Sequence, residues 1–81
     1  MWYLYIIHCS DHSLYTGVTT DVPRRVKEHN LKLGGNYTRT RTPVGLVYQE
    51  PHPTRSAALK REIQIKKWPR TKKLSLINEQ Q

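Results

Sequence analysis

Apolar and polar positions are grouped along this chain in patterns that mark its elements, beginning with an unbroken apolar and aromatic run, Trp2-Tyr3-Leu4-Tyr5-Ile6-Ile7. A strand apolar on both faces is covered on both, so the run predicts a central strand. Ser10-Asp11-His12-Ser13 follows, and short polar side chains of this kind bond nearby backbone and turn the chain. Leu14-Tyr15-Thr16-Gly17-Val18-Thr19 then returns as a second strand, making a hairpin. An odd loop count sets residues of equal parity opposite each other, which brings Tyr5 to the stretch around Tyr15 and Gly17. Gly17 there predicts a bare patch of backbone open to a ligand or another chain.

Asp21 is a plausible N-cap and Pro23 falls in the first turn, where its missing N–H costs nothing, so a helix is expected to about Asn30. Leu31 to Pro43 holds Gly34-Gly35-Asn36 with Lys32, Arg39 and Arg41, and reads as a mobile basic loop. Val44 to Gln49 is a third strand, stopped by Pro51 and Pro53. Thr54 or Ser56 caps a helix running from Ala57 to Lys67, Pro69 ends it, and a last helix covers about Arg70 to Asn78. The order β-β-α-β-α-α predicts an α/β (α+β) fold: one domain over 1–81, with a small, mostly antiparallel three-stranded sheet and helices packed beside it.

Two helical faces carry candidate chemistry. At 100° per residue Ala58, Leu59, Ile63 and Ile65 share an arc, and Glu62 falls inside it. A core-facing carboxylate is costly unless something meets it. Glu62 is therefore either an arc-edge residue paired with Arg25 or another arginine, or a hard oxygen ligand for Mg²⁺ or Mn²⁺. Arg25 and His29, at i and i+4, project together beside Val22 and Val26. An arginine fork next to an imidazole can hold a phosphate and move a proton, although a histidine on an apolar face is also an ordinary packed residue.

Composition narrows the classes. A chain of 81 residues leaves no room for a large cofactor fold, and its longest apolar run is far shorter than the ~20 residues of a membrane span. That run also lacks the flanks of a signal peptide. A lone Cys9 excludes an internal disulfide and fits a reducing cytoplasm. His8, Cys9 and His12 have no second ligand pair nearby, which argues against structural zinc. The net charge is +8, with five basic and three acidic groups in residues 1–40 and nine and three in residues 41–81. A small basic protein attracts polyanions, nucleic acid above all. Lys32, Arg39, Arg41, Arg55, Lys66, Lys67, Arg70, Lys72 and Lys73 are the candidate phosphate contacts.

Five blocks stand in order: Tyr3-Leu4-Tyr5, Tyr15-Thr16-Gly17, the run Thr19 to Asn30, Asn36-Tyr37-Thr38-Arg39, and Thr54 to Glu62. Together they resemble the GIY-YIG nuclease superfamily, in its small stand-alone single-domain bacterial branch, akin to the N-terminal domain of an excision-repair endonuclease. The resemblance covers nearly the whole chain. It implies a metal-dependent endonuclease that hydrolyses DNA phosphodiester bonds, in repair or recombination, with one divalent ion (Mg²⁺ or Mn²⁺) on Glu62. Tyr5 is then the general base or its close partner, Tyr15 the second tyrosine and Gly17 the motif glycine. Arg25 steadies the scissile phosphate, and His29 stands where relatives have tyrosine or histidine. Tyr37 is expected over the cleft. The chain departs from the pattern at Tyr3, in place of a glycine, and at Thr16, in place of isoleucine. It departs again at Val18 and Thr71, where some relatives have lysine and asparagine. A basic nucleic-acid-binding module without cleavage, or an adaptor on a repair complex, would account for the same charge.

Overall fold

The opening apolar run forms the middle of the molecule. β1 (Trp2–His8) pairs antiparallel with β2 (Leu14–Thr19) on one side and with β3 (Gly45–His52) on the other, giving the order β2-β1-β3. Leu4 to Ile7 are each at most 1% exposed. The structure, a computed structural model, describes residues 1–79.

α1 (Val22–Asn30) lies on one face of the sheet, while α3 (Arg55–Lys66) and α4 (Arg70–Glu79) lie on the other. The period of 2 in β1 sorts its side chains accordingly. Tyr5 and Ile7 pack with Cys9, Val22 and Val44, whereas Leu4 and Ile6 pack with Tyr48, Ile65 and Ile77. Each aliphatic side chain so enclosed contributes roughly 1.5–3 kcal/mol. Asp21 caps α1 by accepting from the Arg24 N–H, and Thr54 caps α3 by accepting from the Ala57 N–H. The Asn30 amide ends α1 by bonding both the N–H and the carbonyl of Val44, which ties the helix to the start of β3.

Three expectations are corrected. β3 does not stop at Gln49 but runs through Pro51 to His52. It is an edge strand paired only with β1, so the missing N–H of Pro51 can face outward. Leu31 to Pro43 is not all loop: Asn36–Arg39 forms a single helical turn, α2, whose Thr38 is fully buried. Ile63 is 56% exposed, because α3 packs through Ala58 and Ile65 and leaves that part of the arc in solvent.

Candidate active site

Tyr5 has Gly17 as its Cα partner across the β1–β2 pair. A Cβ at residue 17 would stand 2.5 Å from Tyr5 Oη and 2.7 Å from Cζ. The space that glycine leaves is taken by the phenol, which corrects the expectation of a bare patch of backbone there. Gly34 serves His29 in the same way, since any side chain there would collide with the imidazole.

These two glycines let three side chains meet. Tyr5 Oη lies 2.8 Å from His29 Nε2, and His29 Nδ1 lies 2.7 Å from Thr38 Oγ1. β1 supplies the phenol, α1 the imidazole and α2 the hydroxyl, and all three residues are at most 1% exposed. The row is satisfied in either direction. The phenol can donate to Nε2 while Nδ1–H donates to Thr38, or Thr38 can donate to Nδ1 while Nε2–H donates to the phenol oxygen. Such a row passes a proton without leaving a buried group unpaired.

Burial pushes the Tyr5 phenol up to about 12; Arg25 beside it pulls the other way, and the charges of Tyr15 and Glu62 add to the rise. Burial, then the charge of Arg25, holds the His29 imidazole below its usual range. Near neutral pH both groups are uncharged. The surroundings therefore do not favour the phenolate in the free protein.

Arg25, one turn before His29, donates to Glu28 Oε1 at 3.2 Å and to the Gly34 carbonyl at 3.1 Å. It does not pair with Glu62. Glu62 Oε2 instead lies 3.6 Å from Lys66 Nζ, and the Glu62 side chain keeps 17% of its exposure. Lys66 Nζ stands 5.8 Å from the Tyr15 ring centroid, so α3 reaches past the outer edge of β2. The Tyr15 ring meets His29 edge-on at 5.3 Å and lies 5.5 Å from Tyr37, which is 41% exposed. Tyr5, Tyr15, His29 and Tyr37 thus form one aromatic cluster, flanked by Arg25, Glu62 and Lys66.

This arrangement coincides with a recognised domain: residues 1–75 match the GIY-YIG catalytic domain. The chain belongs to the GIY-YIG family. It is 61% identical over 77 residues to the UPF0213 protein HQ_3675A of Haloquadratum walsbyi, spanning 95% of this chain and 86% of that protein. It is 56% identical over 77 residues to a UPF0213 protein of Staphylococcus aureus, spanning 95% and 94%. Two solution NMR structures share the fold. The UPF0213 protein BH0048 from Bacillus halodurans is 43% identical with a TM-score of 0.62, over 96% of this chain and 84% of that one. The protein EF2693 from E. faecalis is 39% identical with a TM-score of 0.63, over 95% and 82%. These names state no activity.

The GIY-YIG match contains every candidate catalytic position, but the remaining expected contacts scatter. Arg41 is held in place, donating to Asp11 Oδ2 at 2.9 Å and to the Tyr37 carbonyl at 2.6 Å while its guanidinium lies 4.2 Å from the Tyr37 ring centroid. Arg55 is at the opposite end of α3, 5.6 Å from the Trp2 ring centroid. Lys32, Arg39 and Lys67 are exposed, with no ion pair among the described residues. Thr38, which bonds His29, and Gly34, which makes room for its ring, are positions that the pattern of residues did not single out. Thr38 lay within the block Asn36 to Arg39, where a small polar residue between Tyr37 and Arg39 was the available signal.

One groove, of about 520 Å³, is lined by Tyr3, Asp21, Pro23, Gln49 and Pro51 among others and includes none of the candidate catalytic side chains. A second, of about 330 Å³, includes Arg25. Among the described residues no group of three or more His, Cys, Asp and Glu side chains could hold a metal together. One shielded carboxylate is still a sufficient protein share for Mg²⁺, which keeps several waters and takes substrate phosphate oxygens as further ligands. Glu62 fits that role. No described helix is long and apolar enough to cross a membrane.

Proposed function

We propose that this chain is a divalent-metal-dependent endonuclease acting on DNA, with a place in repair or recombination as the resemblance implies. The observation that carries the reading is the buried row Tyr5–His29–Thr38, with Arg25 and Glu62 on its flanks. A phenol whose pKa is about 12 is a feeble base by itself. Coupled to a neutral imidazole 2.8 Å away, it can take a proton from an attacking water while giving its own to His29 Nε2. The proton then rests on the imidazole, whose Nδ1–H is bonded to Thr38. Arg25 is placed to exchange its Glu28 contact for a phosphate oxygen and to offset the charge that gathers there. Tyr15 holds the other side of the phosphate as a hydrogen-bond donor. Glu62 would hold the metal, which when bound supplies Lewis-acid stabilisation of the phosphate and the leaving oxygen.

One observation favours a rival, the binding module that does not cleave: Tyr5 is 1% exposed, so water reaches its oxygen only if the residues around it move apart. Glu62→Gln separates the two. The substitution removes one i,i+4 pair to a half-exposed lysine, worth about 0.5 kcal/mol at most, so the melting temperature in chelator should stay within a few degrees. DNA affinity should change little, while cleavage in Mg²⁺ or Mn²⁺ falls below detection. A wild-type protein that binds DNA but never cuts it in either metal establishes the rival.

A further inference from the structure

Beyond the row that moves the proton, the 330 Å³ groove has a composition of its own. It is lined by Trp2 and Val18, by Thr19 and Thr20, by Arg24, Arg25 and Arg55, and by Glu28. Three arginines and one glutamate therefore line the groove, and the Glu28 carboxylate is engaged by Arg25. Arg24 and Arg55 have no ion pair among the described residues. Like charges gathered in a concave site raise the local potential and are stabilised by an anion between them. Arg55 is steadied there by the indole of Trp2, 5.6 Å from its guanidinium, a contact that orders the fork without neutralising it. The two unpaired arginines come from different elements, α1 and the first turn of α3, so the fold itself brings them together across the end of β2.

We propose that this groove is a second phosphate subsite, which binds the phosphodiester adjacent to the cleaved one. The inference rests on the nuclease reading, because Arg25 lines the groove and also adjoins the Tyr5–His29 pair. Guanidinium forks match phosphate oxygens two at a time. A volume near the lower end of ligand pockets, about 300–1,000 Å³, suits one nucleotide unit, not a duplex segment. The substrate must then extend at least one nucleotide beyond the scissile linkage on the Arg55 side, and the second contact fixes which linkage meets Tyr5.

The probe is a nucleoside 3′,5′-bisphosphate, whose two phosphates flank one sugar as adjacent linkages do, compared with the 5′-monophosphate. Binding is followed by the NMR signals of the Trp2 indole N–H and the arginine Nε–H groups, without metal and without turnover. The bisphosphate should bind about tenfold more tightly than the monophosphate, the factor that one added charge-assisted contact supplies. The Trp2, Arg24 and Arg55 signals should shift together with that of Arg25. In Arg24→Gln/Arg55→Gln the tenfold advantage should vanish, with melting temperature confirming the fold, and Arg55→Lys should retain only part of it. Equal binding of the two probes by the wild-type protein overturns the subsite, as does an advantage that survives the double substitution. Because nothing is cleaved, the outcome is separate from the nuclease reading. A protein that shows the bisphosphate advantage but never cuts DNA keeps the subsite and loses the hydrolysis. One that cuts DNA without the advantage does the reverse.

Discussion

A methyl group at residue 17 would meet the Tyr5 ring at its hydroxyl end, so Gly17→Ala tests how rigidly the proton row is held. Neither the strand backbone nor a ring buried against Ile7 and Val22 can yield freely. Overpacking of this kind costs about 1–3 kcal/mol, and the shift falls on the Tyr5–His29 bond. Urea denaturation should show that loss, and the His29 ring resonances should move; an alanine variant as stable as wild type with unmoved His29 signals counts against it. The neighbouring residue is suboptimal in the opposite sense. Thr16 is 3% exposed on the α3 side of β2, and its hydroxyl has no hydrogen-bond partner among the described residues. A buried unpaired polar group costs about 1–3 kcal/mol. Thr16→Val keeps the shape and removes the orphan, so stability should rise by ~1 kcal/mol, or roughly 4–8 °C in melting temperature for a domain of this size. An unchanged or lower melting temperature would show that the hydroxyl is satisfied by water.

At the scale of elements, β3 is fastened to α3 by a carboxylate that the proton row does not use. Glu50 accepts from the Tyr48 hydroxyl at 2.5 Å and from Arg61 Nε at 3.1 Å, and its Oε2 lies 2.6 Å from His52 Nε2. Burial works to raise the Glu50 pKa, but the bonds from Tyr48, His52 and Arg61 outweigh it and leave the carboxyl below its usual 4.5. Stability from Glu50 is thus present above about pH 4.5 and lost as pH falls through the lower folded value. His29 adds an earlier decline. Its folded pKa lies below the 6.5 of a free imidazole, so the unfolded chain takes up a proton that the fold refuses as pH drops from there. Melting temperature measured from pH 8 to pH 3 should fall first below about 6.5 and faster below about 4.5, and Glu50→Gln should flatten the second decline. A wild-type profile level down to pH 4 would contradict both assignments. The three strands, three of the helices and both caps were legible in the residues because periodicity, turn chemistry and proline position are local signals. The extension of β3 through Pro51 was not, since tolerance of proline depends on which strand lies at the edge. Nor was α2: four residues after a Gly-Gly pair carry no period, and the turn is held by one tertiary bond, Thr38 to His29. The candidate catalytic positions Tyr5, Tyr15 and His29 were picked out by the blocks they stand in, and the fold brings their side chains together. The pairing of Glu62 with Lys66 is the i,i+4 contact that helical spacing allows, whereas the filling of Gly17 by Tyr5 depends on which way the phenol turns across the β1–β2 pair, which no spacing reports.

For the whole molecule, the accessible surface of 5130 Å² is close to the roughly 5,100 Å² expected of a folded chain of this mass, so its excess charge is spread over a surface of ordinary size. Part of that charge is already engaged: Arg41 by Asp11, Lys66 by Glu62, and Arg61 by Glu50. What remains has a direction. α3 lies across the face of the sheet opposite α1, from Arg55 in the arginine-lined groove to Lys66 near the Tyr15 ring, and Lys67 and Arg70 continue past its end. Its 12 residues span about 18 Å, which at about 3.4 Å per nucleotide of one strand is room for about five phosphates. With each duplex contact adding a slope of about −0.9, log affinity for DNA should fall against log salt with a slope of about −4.5, and nearly alike for unrelated sequences. Lys67→Gln with Arg70→Gln should make the slope about 2 units shallower if both contact phosphate, while Lys60→Gln, on the exposed side of α3, leaves it unchanged. Fluorescence anisotropy between 50 and 200 mM salt, the range over which such contacts are felt, is the measurement. A slope close to zero would rule out phosphate contacts as the source of binding, and equal slopes for the double variant and wild type would move the track away from the α3–α4 junction.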